Sequence, residues 1–217
     1  TYNALVLVDG VSIFGGAPSC IRESGCDMYC TATQKCLGLP AGFGIVFVSP
    51  EAVEKSKSIK NKGYTTDLLA HLPRAAKYQT LSTPNGTLAN QMWLQLQYIV
   101  GEESVDKRFL RHQMLRGMVT QWTKSLPEGF KLFAPEDAQS LSLTTVQCPV
   151  GMTIADLKQV KEALRLRGYL FDPGYGKLNE ALQATGNPLI IRIAHMGDTT
   201  FKMMEDYLAT LDEVIRL

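Results

Sequence analysis

The sequence predicts an α/β protein in which short strands alternate with longer helices. Short apolar runs at 3–8 and 45–48 are bounded by Asp, Gly, Ser and Pro, as expected of strands buried in a sheet. Between 105 and 126, and again after 199, apolar side chains recur every three or four residues, as in helices that bury one face. This order of segments is typical of sheets covered by helices.

Length and composition narrow the class further. The 217 residues can form one large domain or two small ones, and 45% of them are hydrophobic, 20% are charged and the formal net charge is +1. No basic run with interleaved aromatic residues indicates a nucleic-acid partner, and no apolar run reaches the roughly 18 residues needed to span a bilayer. Residues 1–10 have no basic start or cleavage site and begin as a core strand, so we expect further sequence upstream.

The cysteine content favours a reducing compartment. An odd number of cysteines is more typical of a cytoplasmic protein than of a disulfide framework. The first four are separated by five, three and five residues, which does not match the paired spacing of zinc sites. We therefore interpret all five as structural thiols and expect a cytoplasmic protein without a metal; they are Cys20, Cys26, Cys30, Cys36 and Cys148.

The predicted elements fall into two domains, 1–127 and 128–217, because the Pro-Glu-Gly triplet at 127–129 interrupts the helical pattern. In the first domain we expect strands, a capped helix start at Ser49-Pro50, an exposed polar loop and two long helices. The strands lie at 3–8, 26–32 and 45–48, the helix start at 49–50, the polar loop at 56–65, and the two long helices at 86–103 and 105–126. His112, in the last of these helices, has no acidic or thiol partner at ligand spacing and is interpreted as structural or exposed.

For the second domain the pattern predicts a mixed sheet covered by helices. Its strands are expected at 130–133, 143–149, 169–172 and 189–194, and its helices at 153–167 and from 199 onward. A loop at 173–177 is expected to border a substrate pocket. His195 is interpreted as a capping or core residue ahead of the last helix, with no chemical role.

Two residues at the ends of predicted strands can carry chemistry. The strand at 26–32 ends in a Gly/Pro-rich loop, so Lys35 is expected at a sheet edge, where open α/β folds bind ligands. An amine there can form a Schiff base with a carbonyl group if its pKa is lowered. Asp9 ends the first predicted strand. The alternatives are a solvated lysine in a turn and an Asp-Gly turn.

The motif around Lys35 resembles that of a known family. CDMY at 26–29, ATQK at 32–35 and GFGI at 42–45 resemble the pyridoxal-phosphate attachment pattern of class V aminotransferases. VDGVSIFGG at 8–16 and IRIAHMGDTT at 191–200 resemble two further stretches of that family, in the same order. The resemblance implies part of the large-domain sheet of a fold type I pyridoxal-phosphate enzyme, followed by the small carboxyl-terminal α/β domain.

The resemblance also implies roles for individual residues. Lys35 would form the Schiff base, and Asp9 would keep the pyridine nitrogen of the cofactor protonated, so that the ring can accept electrons. Val11 would pack beneath the ring, and Gln34 would contact the cofactor phosphate. Thr83 would reach the phosphate of a neighbouring subunit, which implies a homodimer; the alternative is a threonine at a helix start.

Arg192 is the expected substrate-binding residue. It interrupts an apolar strand, where a charged side chain is costly unless it is paired. In the family, an arginine at this point of the motif grips the substrate carboxylate, and a guanidinium suits that bidentate geometry. The alternative is a buried structural ion pair with a carboxylate elsewhere in the chain.

The predicted function is pyridoxal-phosphate-dependent transamination. By overall resemblance, the expected substrates are a small amino acid of the alanine or serine type and a 2-oxo acid such as glyoxylate or pyruvate. Phosphoserine aminotransferase is an alternative, because the Thr-Pro at 83–84 also resembles that enzyme. A further alternative is a catalytically incomplete fragment, since the family's upstream half supplies other parts of the site.

Overall fold

The computed structural model describes residues 4–216. The chain divides into two compact units between Val105 and Asp106, and we refer to them as the amino-terminal and carboxyl-terminal units. The predicted domains, 1–127 and 128–217, differ from these units by the length of one helix, which is counted with the carboxyl-terminal unit. The domain division of the protein stays a prediction.

A mixed three-stranded sheet forms the amino-terminal unit. Strand β1 is Leu7–Asp9, β2 is Met28–Ala32 and β3 is Gly44–Val48. Strand β2 lies in the centre, parallel to β1 and antiparallel to β3. The buried ring of Tyr29 on β2 packs near the rings of Phe14 and Phe47, at centroid distances of 6.0 and 6.3 Å.

Strand β1 differs from its prediction as a strand buried on both faces. Leu7 is 66% exposed and Val6 is 52% exposed. Within residues 4–216, β1 pairs only with β2, so its apolar side chains lack a second layer. The start of the predicted strand, Asn3, lies outside the described residues.

Helices follow the sheet in this unit. Helix α1 is Pro50–Lys57, and Ser49 caps it as predicted, because the Ser49 hydroxyl accepts a hydrogen bond from the Ala52 amide at 3.0 Å. Helix α2 is Leu68–Ala75, which the sequence analysis did not predict. Helix α3, Gly86–Gln97, continues into a turn of π-helix at Tyr98–Glu103, so the predicted helix at 86–103 is confirmed with a change of winding near its end.

The carboxyl-terminal unit contains an antiparallel sheet of three strands, where a mixed sheet was predicted. Strand β4 is Lys131–Leu132, β5 is Leu143–Gln147 and β6 is Ile190–Ala194. Strand β5 is central, and Thr145 pairs with Arg192 on β6.

Four helices accompany this sheet: α4, α5, α6 and α7, at Val105–Ser125, Ile154–Leu166, Gly176–Ala184 and Phe201–Ile215. Their buried side chains and those of β5 and β6 form one apolar core. Thr153 caps α5 through a capping box with Asp156. The predicted helical stripe of α4 is confirmed at three positions, all buried: Leu115, Val119 and Trp122.

One prediction for the region before β6 is wrong, and a second holds only in part. No strand forms at 169–172; within the described chain only a single bridge joins Asp172 to Arg192. The predicted loop at 173–177 gives way to helix α6 at Gly176. Helix α6 buries Asn179 and leaves most of its apolar side chains partly exposed, so its sequence lacks a clear apolar stripe.

A helix that crosses a bilayer must be both long and apolar. Over residues 4–216, no helix is both long enough and apolar enough to do so.

Candidate active site

Asp9 and Lys35 lie at the same edge of the amino-terminal sheet. Strands β1 and β2 are parallel neighbours, with Asp9 opposite Cys30, so their carboxyl ends share one edge. Asp9 is the last residue of β1, and Lys35 follows the end of β2 at Ala32 by three residues. This edge is where open α/β sheets bind ligands.

The loop that carries Lys35 is held by its backbone and by two side chains. Gly38 adopts φ +72° and its amide donates to the Lys35 carbonyl at 2.9 Å, which closes a tight turn. The buried Thr33 hydroxyl donates to the Pro40 carbonyl at 2.7 Å. Gln95 on α3 donates to the Leu37 carbonyl at 2.9 Å. These bonds fix the backbone on both sides of Lys35.

A second loop, 10–17, leads away from Asp9 and packs against the Lys35 loop. The buried Cys36 thiol donates to the Ser12 carbonyl at 3.3 Å. A Cβ atom on Gly16 would lie 2.6 Å from the Cys36 sulfur, and one on Gly10 would lie 2.1 Å from the Tyr29 ring. Close packing of these two loops therefore sets the spacing between the backbones of Asp9 and Lys35.

The candidate side chains at this edge keep unused bonding capacity. Lys35 is half-buried, and within residues 4–216 its amine makes no hydrogen bond or ion pair. Asp9 is exposed, and one carboxylate oxygen accepts from the Val11 amide at 3.0 Å. Val11 is half-buried, and Gln34, beside Lys35, is exposed. An amine and a carboxylate at one edge can bond to opposite ends of a small ligand.

Thr83 lies elsewhere in the amino-terminal unit, just before α3, and it is exposed. The alternative of a threonine cap does not hold, because Asn85 caps α3 and accepts from the Leu88 amide at 3.0 Å. Within residues 4–216, Thr83 makes no capping bond, and its exposed side chain is open to other contacts. Its role at a neighbouring subunit stays a prediction.

Arg192 belongs to the carboxyl-terminal unit, at the centre of β6. Its NH2 nitrogen lies 2.7 Å from a carboxylate oxygen of Asp172, and its guanidinium carbon lies 4.0 Å from the centre of the Tyr175 ring. Burial acts to lower the pKa of Arg192, but the side chains of Tyr175 and Asp172 outweigh it and raise that pKa. An ion pair is thus present, but it is not the buried pair held as an alternative, because the Asp172 side chain is 44% exposed.

The Arg192 side chain borders a cavity of about 360 Å³ within this unit. The cavity lies between the segment before α6, strand β6 and the start of α7, and its lining is mostly apolar. Asp172, Thr199 and Tyr207 are its other polar residues. A cavity of this volume can hold a small organic molecule, and the Arg192 charge on its wall is paired with the Asp172 carboxylate.

The two buried histidines of this unit have structural surroundings. His195 accepts or donates a hydrogen bond at 2.9 Å with Thr144, and burial lowers its pKa to about 4, helped by the nearby His112. The His112 ring bonds with the Arg108 carbonyl at 2.8 Å. His112 is thus buried and structural rather than exposed, and the absence of a chemical role for His195 stays a prediction.

The cysteines are free thiols. Burial raises the pKa of Cys148 to about 12, which keeps that thiol protonated and unreactive. In the described part of the chain, no three His, Cys, Asp or Glu side chains converge as in a metal site.

Comparison with known proteins decides the family. The family model described as aminotransferase class-V matches residues 1–167, about three quarters of the chain. The chain belongs to the class-V aminotransferases. The predicted family is therefore confirmed, and the motif residues at the sheet edge can be considered in its terms.

Two curated relatives illustrate this class-V membership. An L-aspartate–glyoxylate aminotransferase of Paracoccus denitrificans is 30% identical over 219 residues, which cover 99% of this chain and 51% of the relative. A phosphoserine aminotransferase of Nocardioides sp. is 30% identical over 180 residues, covering 81% of this chain and 47% of the relative. The chain therefore spans about half the length of these relatives.

A solved structure supports the predicted fold. The crystal structure of an alanine–glyoxylate aminotransferase from Nostoc sp. matches with a TM-score of 0.83 and 23% identity, over 98% of this chain and 54% of that one. Fold type I, in part, is thus confirmed for this class-V chain.

The residues at the sheet edge fit pyridoxal phosphate, the cofactor associated with the class-V family. Lys35 offers an amine without a partner in residues 4–216, and Asp9 offers a carboxylate with one oxygen unused by the Val11 amide. An amine for an aldehyde and a carboxylate for a pyridinium nitrogen are the donors that this group requires.

Sequence analysis missed the partners of Arg192. Asp172 was placed in a strand, and Tyr175 was placed in a loop without an assigned role. A signal was present, because an Asp-Pro-Gly turn followed by an exposed aromatic residue precedes the arginine strand. Nothing in the spacing, however, indicated that both side chains contact one guanidinium.

Proposed function

We propose that the protein is a pyridoxal-phosphate-dependent aminotransferase in which this chain supplies the Schiff-base lysine and the carboxylate-binding arginine. The observation that carries the proposal is the position of Asp9 and Lys35 at the ends of adjacent parallel strands. Class-V membership supports it. When bound, pyridoxal phosphate supplies an aldehyde that takes up the substrate amine and a ring that accepts electrons from the substrate Cα.

The residues at the sheet edge would act on this group in complementary ways. The Lys35 amine would bond to the aldehyde and, once displaced by the substrate, would move the proton from the substrate Cα. The Asp9 carboxylate would hold a proton on the ring nitrogen. Val11 would pack against the ring, and the Gln34 amide would donate to the phosphate.

Two further residues would contribute to substrate and cofactor binding. Arg192 would bind the substrate carboxylate by charge-assisted hydrogen bonds, as guanidinium groups do in many proteins. Thr83 would bind the cofactor phosphate of a neighbouring subunit, so we propose a homodimer. The exposure of Thr83 is consistent with a contact outside its own unit.

For the substrates, we propose a small amino acid of the alanine or serine type as donor and glyoxylate or pyruvate as acceptor. The L-aspartate–glyoxylate aminotransferase relative supports glyoxylate. The phosphoserine aminotransferase relative keeps that activity as a second candidate. The free thiols support a cytoplasmic location, because disulfides are rare there.

Covalent trapping tests the proposal. The 217-residue chain is incubated with pyridoxal phosphate, reduced with borohydride and digested for mass spectrometry. The reduced cofactor should be found on Lys35, should be absent from that peptide in Lys35→Ala, and should remain in Lys158→Ala, which removes an exposed lysine of the other unit.

Labelling that spreads evenly over surface lysines would contradict the assignment of Lys35. A colourless, unlabelled chain would favour the alternative that the site needs polypeptide beyond this chain. Where labelling succeeds, cofactor absorbance after addition of alanine, serine or phosphoserine separates the candidate donors. Asp9→Ala should slow this half-reaction far more than it reduces labelling.

A further inference from the structure

Two side chains hold the guanidinium of Arg192, and a backbone bond holds the residue that carries it. Its NH2 nitrogen pairs with the Asp172 carboxylate at 2.7 Å, and the Tyr175 ring covers one of its faces at 4.0 Å. At the backbone, the Arg192 amide donates to the Asp172 carbonyl at 3.1 Å. A long side chain with several rotatable bonds is thereby confined to one orientation.

The segment that supplies both partners is itself rigid. The second carboxylate oxygen of Asp172 accepts from the Gly174 amide at 2.9 Å, and Gly174 adopts φ +83°. A Cβ on Gly174 would lie 2.8 Å from the Ile190 carbonyl oxygen, so the turn packs directly on β6. The buried Asn179 side chain joins the same turn to β6, because its amide donates to the carbonyls of Pro173 and Ile190.

The Nε–H group of Arg192 is a hydrogen-bond donor that neither Asp172 nor Tyr175 uses. Its Nε–H is buried, and within residues 4–216 no atom accepts a hydrogen bond from it. Because that nitrogen is buried, a ligand in the adjoining cavity meets the remainder of the Arg192 side chain, which is 20% exposed. The Asp172 carboxylate occupies Nη2 and the Tyr175 ring covers one face, so both partners hold the guanidinium beside the cavity.

We propose that Asp172 and Tyr175 are positioning residues, which hold the Arg192 guanidinium at the wall of the cavity so that it receives a ligand carboxylate there. This inference rests on the carboxylate-binding role of Arg192 under Proposed function, and it adds the residues that prepare that role. Because the partners are fixed by a turn and a backbone bridge, the guanidinium is oriented before the ligand binds. Such preorganisation lowers the entropic cost of binding.

The test follows the Arg192 Nε–H signal by NMR in the 217-residue chain labelled with ¹⁵N-arginine, with Arg192→Lys to assign the signal. Pyruvate is the probe, and neutral pyruvamide is its uncharged control. In the unsubstituted chain, the signal should exchange slowly with water and shift with pyruvate but not with pyruvamide. In Asp172→Asn and Tyr175→Leu, exchange should be roughly tenfold faster and pyruvate affinity roughly tenfold lower.

Two matched variants control for loss of a similar side chain away from Arg192. Tyr64→Leu removes a tyrosine that is 64% exposed, compared with 65% for Tyr175. Asp206→Asn removes a carboxylate that pairs with Lys202 on α7. Both should match the unsubstituted chain. Asparagine at 172 can keep the bond to the Gly174 amide, and circular dichroism checks that each variant is folded.

The outcomes separate this inference from the proposal on which it rests. If saturating pyruvate leaves the Nε–H signal of the unsubstituted chain unchanged, the carboxylate role of Arg192 is wrong and this inference is overturned with it. If pyruvate shifts the signal equally in the unsubstituted chain, Asp172→Asn and Tyr175→Leu, Arg192 binds carboxylate and only the positioning role is overturned.

Discussion

The two units hold their candidate residues in position in different ways. In the amino-terminal unit, Lys35 and Asp9 have few side-chain contacts, and their positions depend on two loops that pack tightly at Gly16 and Cys36. In the carboxyl-terminal unit, the Arg192 side chain is itself held by Asp172 and Tyr175. The difference suits the proposed chemistry, because a lysine that moves a proton needs freedom whereas a carboxylate clamp benefits from rigidity.

The largest effect is expected from removing the Arg192 side chain. Arg192→Ala should raise the KM for the amino donor by an amount worth roughly 2–4 kcal/mol, because a charge-assisted pair is lost. Cofactor trapping on Lys35 should be unchanged, since Arg192 belongs to the other unit. Half-reaction kinetics followed by cofactor absorbance measure both. Arg165→Ala, which breaks an exposed pair with Glu162, is the control, and normal kinetics in Arg192→Ala would show that the assignment is wrong.

The stability of the amino-terminal unit should fall after a substitution that adds only one methyl group. Gly10→Ala places a Cβ about 2 Å from the Tyr29 ring, so we expect a loss of about 3 kcal/mol in unfolding free energy from overpacking. Gly44→Ala adds the same methyl group where no atom lies within 4 Å, and it should be close to neutral. Urea unfolding compares the two. Equal stability would mean that loop packing does not set the position of Asp9.

Acid should weaken the carboxyl-terminal unit through His195. The folded pKa of about 4 lies below the ordinary value of 6.5, so the unfolded chain binds more protons as the pH falls through this interval. The contribution of neutral His195 is therefore complete above pH 6.5 and decreases toward pH 4, with a loss of about 2 kcal/mol at pH 5.

Tryptophan fluorescence can measure this loss in one unit. Trp122 lies in the core of the carboxyl-terminal unit, and Trp93→Phe removes the other tryptophan of the chain. In that background, the urea midpoint should fall between pH 7 and pH 5, and His195→Gln should reduce the pH dependence. A midpoint that falls equally in His195→Gln would assign the acid sensitivity to other groups.

The smallest losses of stability are expected from removing one helix cap in each unit, and the two losses should be equal. Ser49 caps α1 and Thr153 caps α5, each by accepting a backbone hydrogen bond. Ser49→Ala and Thr153→Ala should each cost about 1 kcal/mol, because helix caps depend on local geometry. Thermal unfolding of both variants tests this. A much larger loss for one of them would show that its cap also supports the surrounding tertiary structure.

Sequence reasoning succeeded where the signals are local. The strand that ends before Lys35, its Gly/Pro-rich loop and the Ser49 cap depend on neighbours within a few residues, and all three were predicted. It failed for α6, which buries mainly the polar Asn179 and shows no apolar stripe. It also failed for the exposure of Leu7 and Val6, because an apolar run does not reveal how many layers cover it.

For this protein, the sequence alone determined the family motif, the order of the main strands and helices, and the position of the candidate Lys35 just after a strand, because these depend on residue type and short-range spacing. Only the tertiary structure decided what surrounds each residue. The pairing of Arg192 with Asp172, 20 positions earlier, and the contact of Cys36 with Ser12 arise when distant segments meet. Such contacts depend on strand register and turn geometry, which chain-local patterns do not encode.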